Sequence, residues 1–194
     1  KGDDTITGGE GNDILFGDGG SNNISGGSGD DTIHAGLQAD TLNGDKGNDT
    51  FIPDNKTPED EIIGGSGFDF VDYENSSAAV VIDVSTATKP GKVTDLLHSD
   101  IEFVRGSSFN DSISNSSGQG MKMYGGPGND TLIGGKDDDT IDGGTGIDSI
   151  LGNGGGDHLR TKDGQIDIVD GGSGKDILEN FDRSGTIDSI SNIP

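Results

Sequence analysis

Aspartate recurs every nine residues at Asp4, Asp13, Asp31, Asp40 and Asp49, with Asn22 standing in that run where an acid is due, and again at Asp130, Asp139, Asp148 and Asp157. Allowing insertions of one or two residues, Asp60, Asp69, Asp111, Asp167 and Asp176 continue the series, and Met121 fills the turn that has neither carboxylate nor amide. Such side chains supply hard oxygen donors, which is what calcium requires. A single turn aspartate would mean little, since it commonly hydrogen-bonds its own backbone. Register changes that reading: carboxylates stacked at strand spacing repel one another unless a cation stands between them.

The elements that would position these acids follow from their neighbours. Two residues after every member comes an apolar side chain, from Ile6, Leu15 and Ile24 through to Leu159, Val169 and Leu178, in all sixteen turns of a chain only 27% apolar. Before the acid the chain is glycine-rich, as in Gly8-Gly9-Glu10-Gly11-Asn12-Asp13 and Gly143-Gly144-Thr145-Gly146-Ile147-Asp148. Glycine admits positive φ and close backbone approach, so these hexapeptides read as tight turns. A following triplet such as Thr131-Leu132-Ile133 suits a minimal strand with its central residue inward. Two nonapeptides complete a coil of 18 residues, and stacked coils put the carboxylates along two edges.

Composition excludes several functions. The 194 residues carry 12 basic and 36 acidic side chains, a net charge of −24, and no Cys. Thirty of the acids are Asp and six are Glu, a bias that solubility alone does not explain. Such a surface repels nucleic-acid phosphates and anionic membranes, and no basic cluster offsets it. No apolar run reaches the roughly 18–20 residues of a membrane helix, and Lys1-Gly2-Asp3-Asp4 does not read as a signal peptide. Without cysteine, the chain needs another staple for so thin an apolar core, and calcium is the expected one.

Gly-Gly-X-Gly-X-Asp-X-apolar-X resembles the repeat of the repeats-in-toxin (RTX) family, over about residues 1–72 and 106–179. The resemblance implies an all-β parallel β-roll, a β-helix of Gly-rich nonapeptide repeats in two blocks, 1–72 and 106–179, separated by a non-repeat insert or cap at 73–105 and followed by a C-terminal cap or tail at 180–194. It implies Ca²⁺ ligation at the sixth position of each turn: Asp4, Asp13, Asn22, Asp31, Asp40, Asp49, Asp60, Asp69, Asp111, Asp130, Asp139, Asp148, Asp157, Asp167 and Asp176. Roughly eight ions are expected. The edge with neutral Asn22 and the glycine-poor turn Ala35-Gly36-Leu37-Gln38-Ala39-Asp40 should bind weakly, whereas Asp13, Asp31 and Asp49 form an intact edge. In the second block the expected edges are Asp130, Asp148 and Asp167, and Asp139, Asp157 and Asp176.

The segment between the blocks reads differently. Ala78-Ala79-Val80-Val81-Ile82-Asp83-Val84 is a strand candidate, Lys89-Pro90-Gly91-Lys92 a turn, and Asp95 to Val104 a short helical or irregular cap. It is expected to couple two rolls and cover an open end of the apolar column. The re-entry through Gly106-Ser107-Ser108-Phe109-Asn110-Asp111 is similar to inserts of large RTX adhesins and of alginate epimerase repeat modules.

Catalytic signatures are missing from the sequence. Asp137-Asp138-Asp139 lacks the helices and the twelfth-position Glu of an EF-hand. His34 and His158 flank inward positions and should face outward, and His98 lies in the insert. No nucleophile elbow or zinc-protease helix occurs. The expectation is therefore a non-enzymatic, calcium-binding module of a larger secreted, extracellular or cell-surface bacterial protein, disordered without Ca²⁺ and folding on its binding after type I secretion. The alternative is a calcium-dependent polysaccharide-binding module, with an outward hydroxyl ladder at Thr131, Thr140 and Ser149. Expected partners are calcium, the rest of the host protein and, in the alternative, an extracellular polysaccharide; nucleic acid and membrane insertion are not expected.

Overall fold

A computed structural model describes residues 2–53, 59–85, 95–161, 163–179 and 189–191. Among them every regular element is a strand. The first repeat block supplies β1 (Thr5–Glu10), β2 (Ile14–Phe16), β3 (Asn23–Ser28), β4 (Thr32–His34), β5 (Thr41–Lys46), β6 (Thr50–Ile52), β7 (Glu61–Ser66) and β8 (Phe70–Asp72). The middle of the chain supplies β9 (Val81–Ser85), β10 (Leu96–His98) and β11 (Phe103–Arg105). Then follow β12 (Ser112–Asn115), β13 (Lys122–Pro127), β14 (Thr131–Ile133), β15 (Thr140–Thr145), β16 (Ser149–Leu151), β17 (His158–Arg160), β18 (Ile168–Asp170), β19 (Ile177–Glu179) and β20 (Ser189–Ser191).

Alternate strands go to opposite walls. One sheet has eleven strands in the order β1-β3-β5-β7-β10-β9-β12-β14-β16-β18-β20, and the other nine in the order β19-β17-β15-β13-β11-β8-β6-β4-β2. All ladders are parallel, and where the repeat is regular the register is one coil: Ile6 opposite Ile24, Ile24 opposite Leu42, Leu15 opposite Ile33. This is the parallel β-roll, a solenoid of about nine turns. A minimal strand needs only one inward side chain, and the sixteen apolar positions provide it. Thirteen are buried, while Ile6, Leu15 and Leu178, at the ends of the sheets, pack partly exposed against the column. Fully burying one such side chain contributes about 1.5–3 kcal/mol.

The segment 73–105 departs from its expected form. Asp95 to Val104 contains two strands, β10 and β11, instead of a helical or irregular cap. Both lie in mid-stack, with β10 between β7 and β9 and β11 between β8 and β13, rather than over an end of the column. The reason is apolar continuity: Leu97 sits opposite Ile62, Ile82 opposite Ile113, and Val104 between Val71 and Met123, all of them buried. The expected turn at Lys89–Lys92 falls outside the described residues, as does all of 180–194 except β20. That strand pairs with β18, with Val169 and Ile190 in register along the backbone.

Candidate metal-binding edges

Each nonapeptide turn delivers its sixth residue to one of two edges, immediately before a strand of one sheet or the other. Before the nine-stranded sheet stand Asp13, Asp31, Asp49, Asp69, Glu102, Met121, Asp139, Asp157 and Asp176. Before the eleven-stranded sheet stand Asp4, Asn22, Asp40, Asp60, Asp95, Val80, Asp111, Asp130, Asp148 and Asp167. The edges of the two repeat blocks are thus continued through the middle segment. Asp95 and Glu102 are ladder members that sequence reasoning passed over. The signal was present: Glu102 lies nine residues before Asp111, and each has an apolar residue two places on, Leu97 and Val104. Missing turn glycines concealed it.

The carboxylates are joined by one hydrogen bond per rung. The backbone N–H of Asp31 donates to Oδ1 of Asp49 at 2.8 Å, that of Asp49 to Asp69 at 2.9 Å, and that of Asp69 to Oε2 of Glu102 at 2.8 Å. On the other edge Asp40 donates to Asp60 at 2.9 Å, Asp60 to Asp95 at 2.8 Å, Asp111 to Asp130 at 2.8 Å and Asp148 to Asp167 at 2.8 Å. Val80 and Met121 contribute only their N–H groups, to Asp111 and Asp139. A second ladder runs the opposite way one residue earlier, where Asn12 accepts from Asp30 N–H, Asp30 from Asn48, and Asn48 from Phe68. Beyond the first coil, one oxygen of each sixth-position acid is therefore occupied in holding coils together.

The second oxygen has a different fate. Oδ2 of Asp13, Asp31, Asp49, Asp69, Asp130, Asp148, Asp157 and Asp176 is buried without a hydrogen-bond donor. In the first seven of these it points at the first glycine of its own turn, where an added Cβ on Gly26 would lie 2.3 Å from Asp31 Oδ2. The same spot often faces a carbonyl of the next coil: at Gly44 it is 2.2 Å from Asp49 Oδ2 and 2.5 Å from the Gly64 oxygen, and at Gly125 it is 2.4 Å from Asp130 Oδ2 and 2.5 Å from the Gly143 oxygen. Anionic and carbonyl oxygens brought together without a donor constitute an arrangement that a cation relieves.

Protonation reflects the same strain. Burial pushes Asp130 up to about 7 and Asp69 and Asp157 up to about 6, against the opposing pull of their backbone N–H partners and with a further rise from neighbouring carboxylates. Asp49 and Asp148 are raised for the same leading reason. Among the described residues no three acidic or histidine side chains converge on a point. The donors available to a hard cation are therefore carboxylates of successive coils together with turn carbonyls, a set that fits calcium's taste for many oxygens.

Other expected features are placed elsewhere. Thr131 faces Ser149 across β14 and β16 of the eleven-stranded sheet, while Thr140 is on β15 of the other, so these three do not form one hydroxyl ladder. Consecutive nonapeptides alternate between walls, which splits any series spaced by nine. His34 stacks on Phe16 with ring centroids 4.4 Å apart, and His98 and His158 face Glu61 and Glu179 at 3.0 and 3.1 Å.

Fold and edges together define a repetitive parallel β-roll lined by two rows of carboxylates. The family model of the RTX calcium-binding nonapeptide repeat matches residues 1–24, 16–51 and 124–159, in four copies. No curated protein matches the chain.

Proposed function

We propose that the chain is a calcium-binding structural module of a larger secreted bacterial protein, and that calcium folds it outside the cell after type I secretion. The observation that carries this reading is the row of buried Oδ2 atoms lacking donors, most of them in residues less than a tenth exposed. The RTX repeats support it, since such repeats characterise secreted bacterial proteins and serve as calcium-binding modules rather than catalytic ones. Asp13, Asp31, Asp49 and Asp69 would hold ions along one edge, with Asp157 and Asp176 further along it and Asp130, Asp148 and Asp167 on the other. Turn carbonyls would complete each shell.

The driving force follows from charge. At −24 and with one inward side chain per nine residues, the metal-free repeat coils gain too little from burial to overcome self-repulsion and backbone entropy. Calcium supplies charge and coordination together, so binding energy becomes folding energy. Far-ultraviolet circular dichroism tests this directly: millimolar Ca²⁺ added to chelated protein should raise β-structure sharply, and equal Mg²⁺ much less, because Mg²⁺ keeps its waters and an octahedral shell. Identical folded spectra with and without chelator would overturn the reading.

A further inference from the structure

Not every ladder position needs an outside cation, because among the described residues at least four contain their own donor. At Asn22 the side-chain nitrogen stands in the place of Oδ2 and donates to the carbonyls of Gly17 and Gly20 at 3.1 and 3.0 Å. At Asp95, Oδ2 accepts the hydroxyl of Tyr73 at 2.7 Å. At Asp111, Oδ2 accepts both the N–H and the hydroxyl of Ser107, at 2.5 and 3.0 Å. At Asp139, Oδ2 accepts the N–H of Gly135 at 2.6 Å.

Two of these, Asp95 and Asp111, flank β9 and β10 in the middle of the stack, and Asp83, Asp100, Asp72 and Glu74 there are likewise served by protein donors. Asp83 Oδ1 accepts the hydroxyls of Ser114 and Ser116 at 3.0 and 2.7 Å. Asp100 accepts N–H groups of Gly64 and Gly65 at 3.2 and 3.0 Å. Arg105 pairs with Glu74 at 2.8 Å and Asp72 at 3.5 Å. Among the described residues apolar packing is also densest here: ten apolar side chains are buried from Tyr73 to Met123 inclusive, against seven in the first 72 residues. Tyr73 itself is 1% exposed, and burial together with the Asp95 charge keeps its phenol protonated.

We infer that the ladder positions with a built-in donor take no calcium, and that the Tyr73–Asp95 and Ser107–Asp111 pairs make the centre of the roll a calcium-independent section from which two calcium-dependent arms extend. The inference rests on the calcium reading of the remaining positions. In the arms each coil is held by an acid whose second oxygen calls for a cation. In the centre a hydroxyl or amide proton occupies that place, and the section lacks the reason to open when metal is withdrawn.

Hydrogen exchange on the full chain, in calcium and in chelator, tests it. In chelator, amides of β10, β11 and β12 should stay protected while those of β3 and β15 exchange freely. Loss of protection everywhere at once, with calcium restoring it everywhere, would overturn the inference and leave the calcium reading intact. Unchanged protection everywhere in chelator would overturn the calcium reading, and the inference with it. Tyr73→Phe keeps the ring and removes the proton donor. It should lower the chelator-state protection of β10 by about tenfold, while protection of the arms in calcium is retained. A centre unaffected by that change would show that the hydroxyl does not replace a cation.

Discussion

Asn22 and Asp148 occupy equivalent places on one edge and differ in a single side-chain atom, oxygen against nitrogen. Both accept a backbone N–H through Oδ1, from Asp4 at 3.0 Å and from Asp130 at 2.8 Å. Asn22 then closes its turn with its own amide, whereas Asp148 leaves Oδ2 buried without a donor. Exchanging them should exchange their behaviour. Asp148→Asn retains the rung and should reduce the calcium bound per chain by at least one ion, and Asn22→Asp should raise it by at least one; isothermal calorimetry at neutral pH counts both. If neither substitution moves the stoichiometry, the ladder is not where calcium binds.

At the scale of the coil, what permits stacking is the glycine turn, and its glycines are not equivalent. Gly146 has φ +136°, and a Cβ there would lie within 1.5 Å of the Gly128 carbonyl oxygen in the preceding coil. Gly9 also has a positive φ, +115°, yet an added Cβ would meet nothing within 4 Å because it belongs to the first coil. Gly9→Ala therefore carries only the strain of the left-handed region, about 1–3 kcal/mol. Gly146→Ala adds a backbone collision that separates two coils, and should exceed Gly9→Ala by about 3 kcal/mol or more. Thermal unfolding in saturating calcium gives the comparison, and equal losses would mean that the turns do not stack as closely as described.

For the whole molecule, the raised carboxyl pKa values link folding to pH with a definite sign. An acid whose folded pKa lies above its unfolded value of 3.8 binds more protons when folded, so it favours the folded form below 3.8 and loses that contribution as pH rises through the folded value. With Asp69 and Asp157 at about 6 and Asp130 at about 7, the metal-free fold gains steadily as pH falls from about 7 to 4. Protons there take the place of cations. Chelated protein in dilute solution should accordingly gain β-structure on acidification. Calcium affinity should weaken over the same interval as the ion displaces protons. Asp130→Asn should flatten the upper part of that profile, near pH 7, and an unaltered profile would show that Asp130 does not contribute to it.

The nine-residue spacing alone determined the roll, its inward column and most members of both edges, because in a solenoid each coil faces only its neighbours and local spacing becomes spatial register. Ile24, Leu42 and Ile62 are buried in one line for the same reason that they are spaced by one coil in the chain. The middle segment was not legible in this way. Asp95 and Glu102 take ladder positions without glycine turns, since strand pairing asks only for an inward apolar residue and an acceptor at the corner. Whether an acid's second oxygen is left without a donor depends on what packs across its turn. For Asp95 that group is the hydroxyl of Tyr73, 22 residues away, and nothing in the spacing of acids announces a proton delivered over that distance.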